Sequence, residues 1–229
     1  MFVTGDPHGN FKPIIQSYQQ EMISKGSTLV VLGDAGINYY GGTRDTMLKE
    51  ALAACDITFF CVHGNHENRP SNVFGYTTMT WNGGKVYYEV EYPNILFPAD
   101  GEVFKINGHT VLVIGGAYSV DKFYRLGMGY HWWADEQPND QIKQHTIDNL
   151  EKVNWCVDYV FSHTCPLKYE PIEVFLPMID QSTVDKTTEI WLDDIEDRLT
   201  YKQWLCVHYH TEKIIDKMRF LYKDIIEIA

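Results

Sequence analysis

The sequence predicts a layered α/β fold, and three features of the chain support this prediction. Short runs of apolar, mostly β-branched residues, such as residues 29–32, have the length and composition of buried strands. Helical segments separate the first three of these runs, which gives the β-α-β-α-β order typical of layered α/β folds. Polar side chains able to bind ligands follow several runs directly, at the strand ends where α/β folds place their binding sites.

The first half of the chain alternates strands with helices and then turns to short strands. Strands are predicted at residues 2–4, 29–32 and 59–62. A helix is predicted over residues 11–25, with Asn10 as its N-cap, and a second helix over residues 46–54. Five β-prone runs follow, at residues 77–80, 85–90, 94–97, 102–106 and 110–114. Asn107 and Gly108 are a hairpin signal, so we interpret residues 73–116 as an antiparallel extension and not as a separate domain.

The second half contains the longest predicted loop, residues 115–140, and loops of this length are usually functional. The segments predicted after it are helix 141–153, strand 157–161, helix 182–199, strand 204–207 and two closing strands at 218–222 and 224–228. The chain shows no proline- or serine-rich linker, internal repeat or low-complexity segment. We therefore predict a single domain over residues 1–229.

Composition excludes several classes of partner. The formal net charge of −12 disfavours nonspecific binding to nucleic acid or to an anionic membrane. No run of about 18 apolar residues is present, so no membrane-spanning helix is expected.

The five cysteines form no C-x-x-C pair, so we expect free thiols. The first strand begins directly after Met1, so we expect no removable leader and a cytoplasmic location. Cys61, Cys156 and Cys206 lie in or beside apolar strands, and we expect them to be buried.

Five predicted strand ends carry oxygen or imidazole side chains. In chain order the motifs are Asp6-Pro7-His8, Gly33-Asp34, Gly64-Asn65-His66-Glu67, His163 and His208-Tyr209-His210. A single aspartate after a strand is more often a turn residue, and one histidine can belong to the core. All five together are improbable by chance, and parallel strands would bring their ends to one edge of a sheet. No role is assigned to His63, His109, His131 or His145.

These motifs resemble those of the calcineurin-like metallophosphoesterases, over almost the whole chain from Asp6 to His210. The resemblance implies a four-layer αββα sandwich, with two mixed β-sheets flanked by helices, and a dinuclear metal centre. It also implies the ligands: Asp6, His8 and His210 for the first ion, Asn65, His163 and His208 for the second, and Asp34 as the bridge between them.

The implied chemistry is that of a hydrolase, a metal-dependent phosphoesterase acting on a phosphate mono- or diester. A metal-bridging hydroxide would attack, and His66 would be the general acid that protonates the leaving oxygen. Histidine and carboxylate ligands without thiolate suit manganese, iron, zinc, nickel or cobalt. We expect two divalent or trivalent transition-metal ions, with manganese as the first choice. Bound cations would also reverse the unfavourable field of an acidic chain that acts on phosphates.

The chain departs from one branch of that family. Serine/threonine protein phosphatases have a carboxylate and an arginine where this chain has Ile37 and Asn38. A protein phosphatase-like activity is therefore disfavoured, although the motif from Gly64 to Glu67 is compatible with it. The last motif usually has glycine before its first histidine, and we expect Val207 at this position to leave the ligand in place.

A phosphate also needs a cationic side chain, and the candidates for substrate binding are Arg69, Lys122 and Arg125. Arg69 directly follows the third motif and can either grip a phosphate with its planar fork or lie on the surface in water. Lys122 and Arg125 belong to the long loop. The loop's aromatic residues, which include Tyr118, Tyr124, Trp132 and Trp133, could stack on a substrate ring or form the loop's own core.

Two other functions remain open at this point. One is a non-catalytic scaffold with the same fold, which the intact ligand positions and His66 disfavour. The other is nucleotide phosphodiesterase activity, whereas the acidic chain lacks the basic stripe that a long nucleic acid requires. We expect a phosphorylated small molecule, a nucleotide or a phosphoprotein as substrate, with no membrane and no long nucleic acid as partner.

Overall fold

Two mixed β-sheets pack face to face with helices on their outer faces, which confirms the predicted αββα sandwich. The computed structural model describes residues 1–228. The predicted domain ends at Ala229, which lies outside the described residues, and the single-domain organisation stays a prediction.

The first sheet has seven strands in the order β13-β1-β2-β3-β6-β5-β4. Their bounds are β1 Phe2–Thr4, β2 Thr28–Val31, β3 Thr58–Cys61, β4 Tyr76–Trp81, β5 Gly84–Glu89, β6 Ile95–Pro98 and β13 Ile225–Glu227. Strands β1, β2, β3 and β6 run parallel, whereas β13, β5 and β4 are antiparallel to their neighbours. The antiparallel extension predicted over residues 73–116 is therefore correct for β4 and β5, which widen this sheet at one edge. It is wrong for β6, which pairs in parallel with β3, and residues 103–114 belong to the second sheet.

The second sheet has six strands in the order β11-β12-β10-β9-β8-β7. Their bounds are β7 Val103–Ile106, β8 His109–Ile114, β9 Tyr159–Ser162, β10 Gln203–Cys206, β11 Lys213–Ile215 and β12 Met218–Phe220. Strands β8, β9, β10 and β12 are parallel, and antiparallel strands close both edges. The predicted hairpin at Asn107 joins β7 to β8, and both its residues have positive φ, as such a turn requires.

Three apolar layers explain why the central strands read as continuous apolar runs. In β2, Val30 faces the layer between the sheets, whereas Leu29 and Val31 face the layer under the helices. Helices α1 (Lys12–Gln19) and α2 (Thr43–Ala53) cover the first sheet, and α4 (Asp140–Lys152) and α5 (Thr187–Glu196) cover the second. Because both faces of these strands are buried, alternation with polar residues is lost.

Several predicted bounds were wrong. Helix α1 ends at Gln19 instead of residue 25, since Glu21 adopts a positive φ of 58° and ends the helical path. Its N-cap is Phe11 and not Asn10. The long loop contains a short helix, α3 (Lys122–Met128), which has no buried residue and therefore no apolar periodicity to reveal it. Helix α5 begins at Thr187 instead of residue 182, because a 3₁₀ turn at Gln181–Thr183 precedes it, and it ends at Glu196 instead of residue 199.

The remaining expectations concern thiols and membranes. All five cysteines are free, but Cys156 is exposed and not buried, since it lies in an isolated β-bridge with Thr200 after the turn that ends helix α4. Among the described residues, no helix is long and apolar enough to cross a bilayer. The cytoplasmic location stays a prediction.

Candidate metal centre

The carboxyl ends of β1, β2, β3, β9 and β10 meet at one end of the sandwich. The parallel pairings within each sheet align these ends, as the motifs predict. The side chains that come together there are Asp6, His8, Asp34, Asn65, His163, His208 and His210. Both sheets thus contribute side chains to the site.

The backbone is strained at this cluster. His8, Asp34, His208 and His210 all have positive φ, between 45° and 58°, a region that few residues other than glycine adopt. Each such residue costs on the order of 1–3 kcal/mol, and strain of this kind persists where the surrounding structure fixes it, most often at functional sites. Here the turns aim four side chains into one space.

Glycines allow close approach at the cluster, both between neighbouring strand ends of the first sheet and between the two sheets. A Cβ atom on Gly64 would lie 2.0 Å from Oδ1 of Asp34, and one on Gly33 would lie 2.0 Å from Nδ1 of His163. Neither contact is possible for a real side chain. The glycines in the second and third motifs are therefore required by packing, independently of any ligand.

Asp6 forms the first part of the site with His8 and His210. Oδ2 of Asp6 lies 3.4 Å from Nε2 of His210, and the Nε2 atoms of His8 and His210 are 3.3 Å apart. Both oxygens of Asp6 are buried, and neither makes a hydrogen bond of normal geometry with the described residues. Burial raises the pKa of Asp6 to about 7, while His210 opposes this rise. A carboxylate in this position is stabilised by a nearby cation.

His163 forms the second part with Asn65 and His208. Nδ1 of His163 donates a hydrogen bond to the carbonyl oxygen of Leu32 at 3.1 Å, which leaves Nε2 with a free lone pair. Nε2 lies 2.8 Å from Oδ1 of Asn65, and burial lowers the pKa of His163 to about 3, so the ring is neutral. Two acceptors this close repel each other unless a cation shares both lone pairs. The donor set thus fits a metal ion.

A buried network fixes which end of the Asn65 amide faces His163. Nδ2 of Asn65 donates to Oγ of Ser119 at 2.8 Å, and that hydroxyl donates to Oε2 of Glu136 at 2.5 Å. Glu136 also accepts hydrogen bonds from the backbone N–H of Ser119 and the indole N–H of Trp132. Because the Ser119 proton is committed to Glu136, its oxygen can only accept. Oδ1 of Asn65 therefore faces the cluster. Sequence reasoning missed Ser119 and Glu136, which carry no motif.

Asp34 lies between the two parts. Its Oδ2 is 3.8 Å from Nδ1 of His8 and 3.8 Å from Nε2 of His163. Its Oδ1 accepts a hydrogen bond from the backbone N–H of His66 at 2.8 Å, so the carboxylate cannot rotate freely. One carboxylate oxygen thus faces imidazoles from both parts.

Glu67 ties the second motif to the third. Its carboxylate accepts hydrogen bonds from the backbone N–H groups of Gly64 at 3.0 Å and Gly36 at 3.2 Å. Burial and the nearby Asp34 raise the pKa of Glu67 to about 8. The Glu67 carboxylate thus links the turns that present Asp34 and Asn65, a role that sequence reasoning did not assign.

His66 lies beside the cluster and outside both of its parts. Its Nε2 is 3.2 Å from Nδ2 of Asn65 and 3.4 Å from a guanidinium nitrogen of Arg125. Burial lowers the pKa of His66 to about 3, and the positive charge of Arg125 acts in the same direction. Ile37, at the position of the missing carboxylate, is fully buried. Within residues 1–228, the imidazole of His66 thus lies within hydrogen-bond distance of N–H donors and of no carboxylate, whereas its backbone N–H donates to Asp34.

The three candidate cations lie in different places. Arg125 reaches His66 while its Nε donates to Asp121 at 2.8 Å. Nζ of Lys122 lies 4.0 Å above the ring of Trp132. Arg69 is paired with Asp100 at 2.5 Å, donates to the carbonyl oxygen of Asp135, and lines a different cavity. Of the three, the structure brings Arg125 to the cluster.

Two aromatic side chains of the long loop, His131 and Trp133, pack against each other and against the loop of the second motif. The rings of His131 and Trp133 stack with centroids 5.8 Å apart, and both contact Tyr39. Trp132 is held by its hydrogen bond to Glu136. These contacts favour the loop's own core over substrate stacking for Trp132 and Trp133.

Comparison with known proteins identifies one family. The family model described as calcineurin-like phosphoesterase matches residues 1–168, which include the first four motifs and the long loop. The match covers more than two thirds of the 229 residues. No curated protein matches the chain.

Proposed function

The chain belongs to the calcineurin-like phosphoesterase family, and on that premise we propose that it is a metal-dependent hydrolase of phosphate mono- or diesters. Membership of this family supports phosphoester hydrolysis in general as the activity of the chain. The observation that carries the proposal for this chain is the position of Asp34, with one oxygen 3.8 Å from an imidazole of each part of the cluster. The neighbouring His66 and Arg125 supply an imidazole that can protonate a leaving oxygen and a cation that can bind a phosphate.

The chain's own donor set divides into two metal sites. Asp6, His8 and His210 would hold one ion, Asn65, His163 and His208 the other, and Asp34 would belong to both. Nitrogen and oxygen ligands without thiolate suit manganese, and also iron, zinc, nickel or cobalt. When bound, two such ions withdraw charge from the phosphoryl group and make water a stronger nucleophile at neutral pH.

Arg125 and His66 would act together on the phosphate ester. The pair is 3.4 Å apart, so a phosphate oxygen that accepts from Arg125 places the ester's leaving oxygen near the imidazole. The negative charge of the phosphate raises the pKa of His66 above its low value in the free protein. His66 can then hold the proton that the leaving oxygen requires. Asp121 keeps the guanidinium in place through Nε.

Arg125→Ala is expected to raise KM by about 10- to 100-fold, since a hydrogen bond to a charged group contributes about 1.5–3 kcal/mol. Metal content should not change, because Arg125 lies outside both parts of the cluster. Steady-state kinetics and elemental analysis measure the two effects. Lys122→Ala is the matched control, and it should have a smaller effect because Lys122 lies over Trp132. An unchanged KM in Arg125→Ala would show that the phosphate is held elsewhere.

The proposed activity is tested by turnover of the purified, manganese-loaded protein. The substrates are 4-nitrophenyl phosphate, a monoester, and bis(4-nitrophenyl) phosphate, a diester. Hydrolysis of at least one is expected, with loss after chelation and recovery after manganese is returned. A protein that binds two ions and cleaves neither ester would instead be a scaffold with the same fold.

A further inference from the structure

A cavity of about 430 Å³ opens directly beside the candidate metal centre. Asp34, His66 and His208 are among the residues on its wall, so a substrate phosphate at the centre would extend into it. Pockets that bind small molecules usually have volumes of about 300–1,000 Å³. The cavity therefore has the size and the position of a site for the leaving group of the ester.

Much of the cavity wall is apolar. It comes from the irregular segment between β9 and α5, and its apolar members there are Val174, Phe175, Leu176, Ile179 and Val184. Val174 is 39% exposed and Leu176 is 59% exposed, although both lie next to a cavity. Burying such side chains against a ligand removes apolar surface from water, which is favourable. The wall thus favours an organic leaving group.

Besides the side chains of the candidate metal centre, the polar part of the wall includes three carboxylates. Asp121, Glu170 and Glu189 line the cavity, and no lysine or arginine is among its described lining residues. Arg125 pairs with Asp121, and Lys186 pairs with Glu170 at 2.6 Å, so two of these carboxylates already have cationic partners. A leaving group with negative charge would meet carboxylates and no free cation.

Glu189 is the carboxylate without a cationic partner. It is 4% exposed, and its Oε1 accepts a hydrogen bond from Oγ1 of Thr164 at 2.8 Å. Its Oε2 makes no hydrogen bond of normal geometry within residues 1–228. Burial raises the pKa of Glu189 to about 7, and Thr164 and the residue's own backbone amide offset only part of this. A buried carboxylate of this kind is stabilised by any donor that a ligand brings to it, directly or through water.

We propose that this cavity binds the leaving group of the substrate, and that this group is largely apolar, carries an N–H donor and has no negative charge. The inference rests on the proposed phosphoesterase activity and specifies its substrate class. It disfavours nucleoside polyphosphates and esters that carry a carboxylate, and it favours phosphate esters of amine-bearing apolar alcohols or phenols. Glu189 is the residue assigned to the donor.

The test compares two aryl phosphates of similar size and leaving group: phosphorylated tyramine, which carries an ammonium, and phosphorylated 3-(4-hydroxyphenyl)propionate, which carries a carboxylate. The manganese-loaded wild type should show at least about tenfold higher kcat/KM for the amine, equivalent to one charge-assisted hydrogen bond. Glu189→Gln should reduce this ratio severalfold with metal content unchanged. An equal kcat/KM, or a preference for the carboxylate, would overturn the inference even if both esters are hydrolysed.

A matched variant separates the cavity from the general charge of the protein. The net charge of −12 favours cations everywhere on the surface, so a preference for the amine alone is not decisive. Glu173 lies in the same segment, pairs with Lys213 on the surface and does not line the cavity. Glu173→Gln should therefore leave the ratio unchanged. The same change in ratio for both variants would overturn the role of Glu189.

Binding of the free phenols keeps this test independent of catalysis. Tyramine and 3-(4-hydroxyphenyl)propionate are titrated into the same proteins and followed by NMR. Selective tyramine binding that Glu189→Gln weakens, in a protein that hydrolyses no ester, would reject the proposed activity and retain the cavity. Hydrolysis without selective binding of the amine would support the proposed activity and overturn the proposed role of the cavity in binding the leaving group.

Discussion

Asp34→Asn is expected to lose one of the two metal ions and at least about a hundredfold of the turnover. The amide removes a negative charge where two cations would lie close together. It also places a donor where an acceptor is needed. Because Oδ1 must keep its hydrogen bond to the backbone N–H of His66, the amide nitrogen would take the position of Oδ2, opposite His8 and His163.

Elemental analysis and steady-state kinetics of the same preparation measure both parts of this expectation. Asp45→Asn is a matched control, since Asp45 is also a buried aspartate, and it accepts hydrogen bonds from Tyr40 and Gly41 at the start of α2, away from the cluster. That control should keep two ions. Near-normal turnover of Asp34→Asn with both ions bound would show that Asp34 is not shared between them.

His66→Gln is expected to keep both metal ions and to lose about 10²–10⁴-fold in rate on an ester with a poor leaving group, the usual range for acid–base catalysis. Glutamine is similar in size and can accept the hydrogen bonds now offered by Asn65 and Arg125. It cannot donate a proton at neutral pH. The expected loss therefore reflects the proton alone and not the shape of the site.

A series of aryl phosphates with leaving groups of graded pKa distinguishes this role from a structural one. A nitrophenol leaves without much protonation, so its ester should lose less rate than the phenyl ester. His145→Gln provides the control, because His145 lies in another cavity beside Glu102. An equal loss on every ester, or the loss of a metal ion, would argue against His66 as the acid.

The strand-end cluster could be predicted from the sequence because parallel pairing restricts where the ends of neighbouring strands can lie. Asp6, Asp34 and Asn65 each follow a strand in the first three runs, and once those strands are parallel their ends must share an edge. The positive φ values at His8, Asp34, His208 and His210 could not be predicted, since no glycine marks them.

The groups around the cluster were harder to predict because they depend on contacts between distant parts of the chain. Arg69 follows the third motif directly, but its guanidinium lies in another cavity because Asp100, far along the chain, binds it. Arg125 is distant in sequence from His66 and adjacent to it in space. Ser119 and Glu136 reach Asn65 in the same way, through a loop that has no periodic pattern.

The cavity wall illustrates the same limit. A helix over residues 182–199 is predicted from sequence, whereas residues 174–184 contain a 3₁₀ turn but no α-helix and leave apolar side chains beside the cluster. Irregular segments have no hydrophobic period, so their buried and exposed faces cannot be assigned from residue order. Glu189 lies in the first turn of α5, where a negatively charged side chain stabilises the helix N-terminus. A glutamate at such a position is expected on the surface, so its burial could not be predicted from the sequence.

Titration of metal-free protein with manganese tests most directly whether the chain has a centre in which Asp34 joins two metal sites. Activity and bound metal are measured together after each addition. We expect no hydrolysis of 4-nitrophenyl phosphate or its diester without metal, and a rise that reaches its plateau when about two ions are bound per chain. Full activity in metal-free protein, or a plateau with no more than one ion bound, would contradict a centre in which Asp34 joins two metal sites.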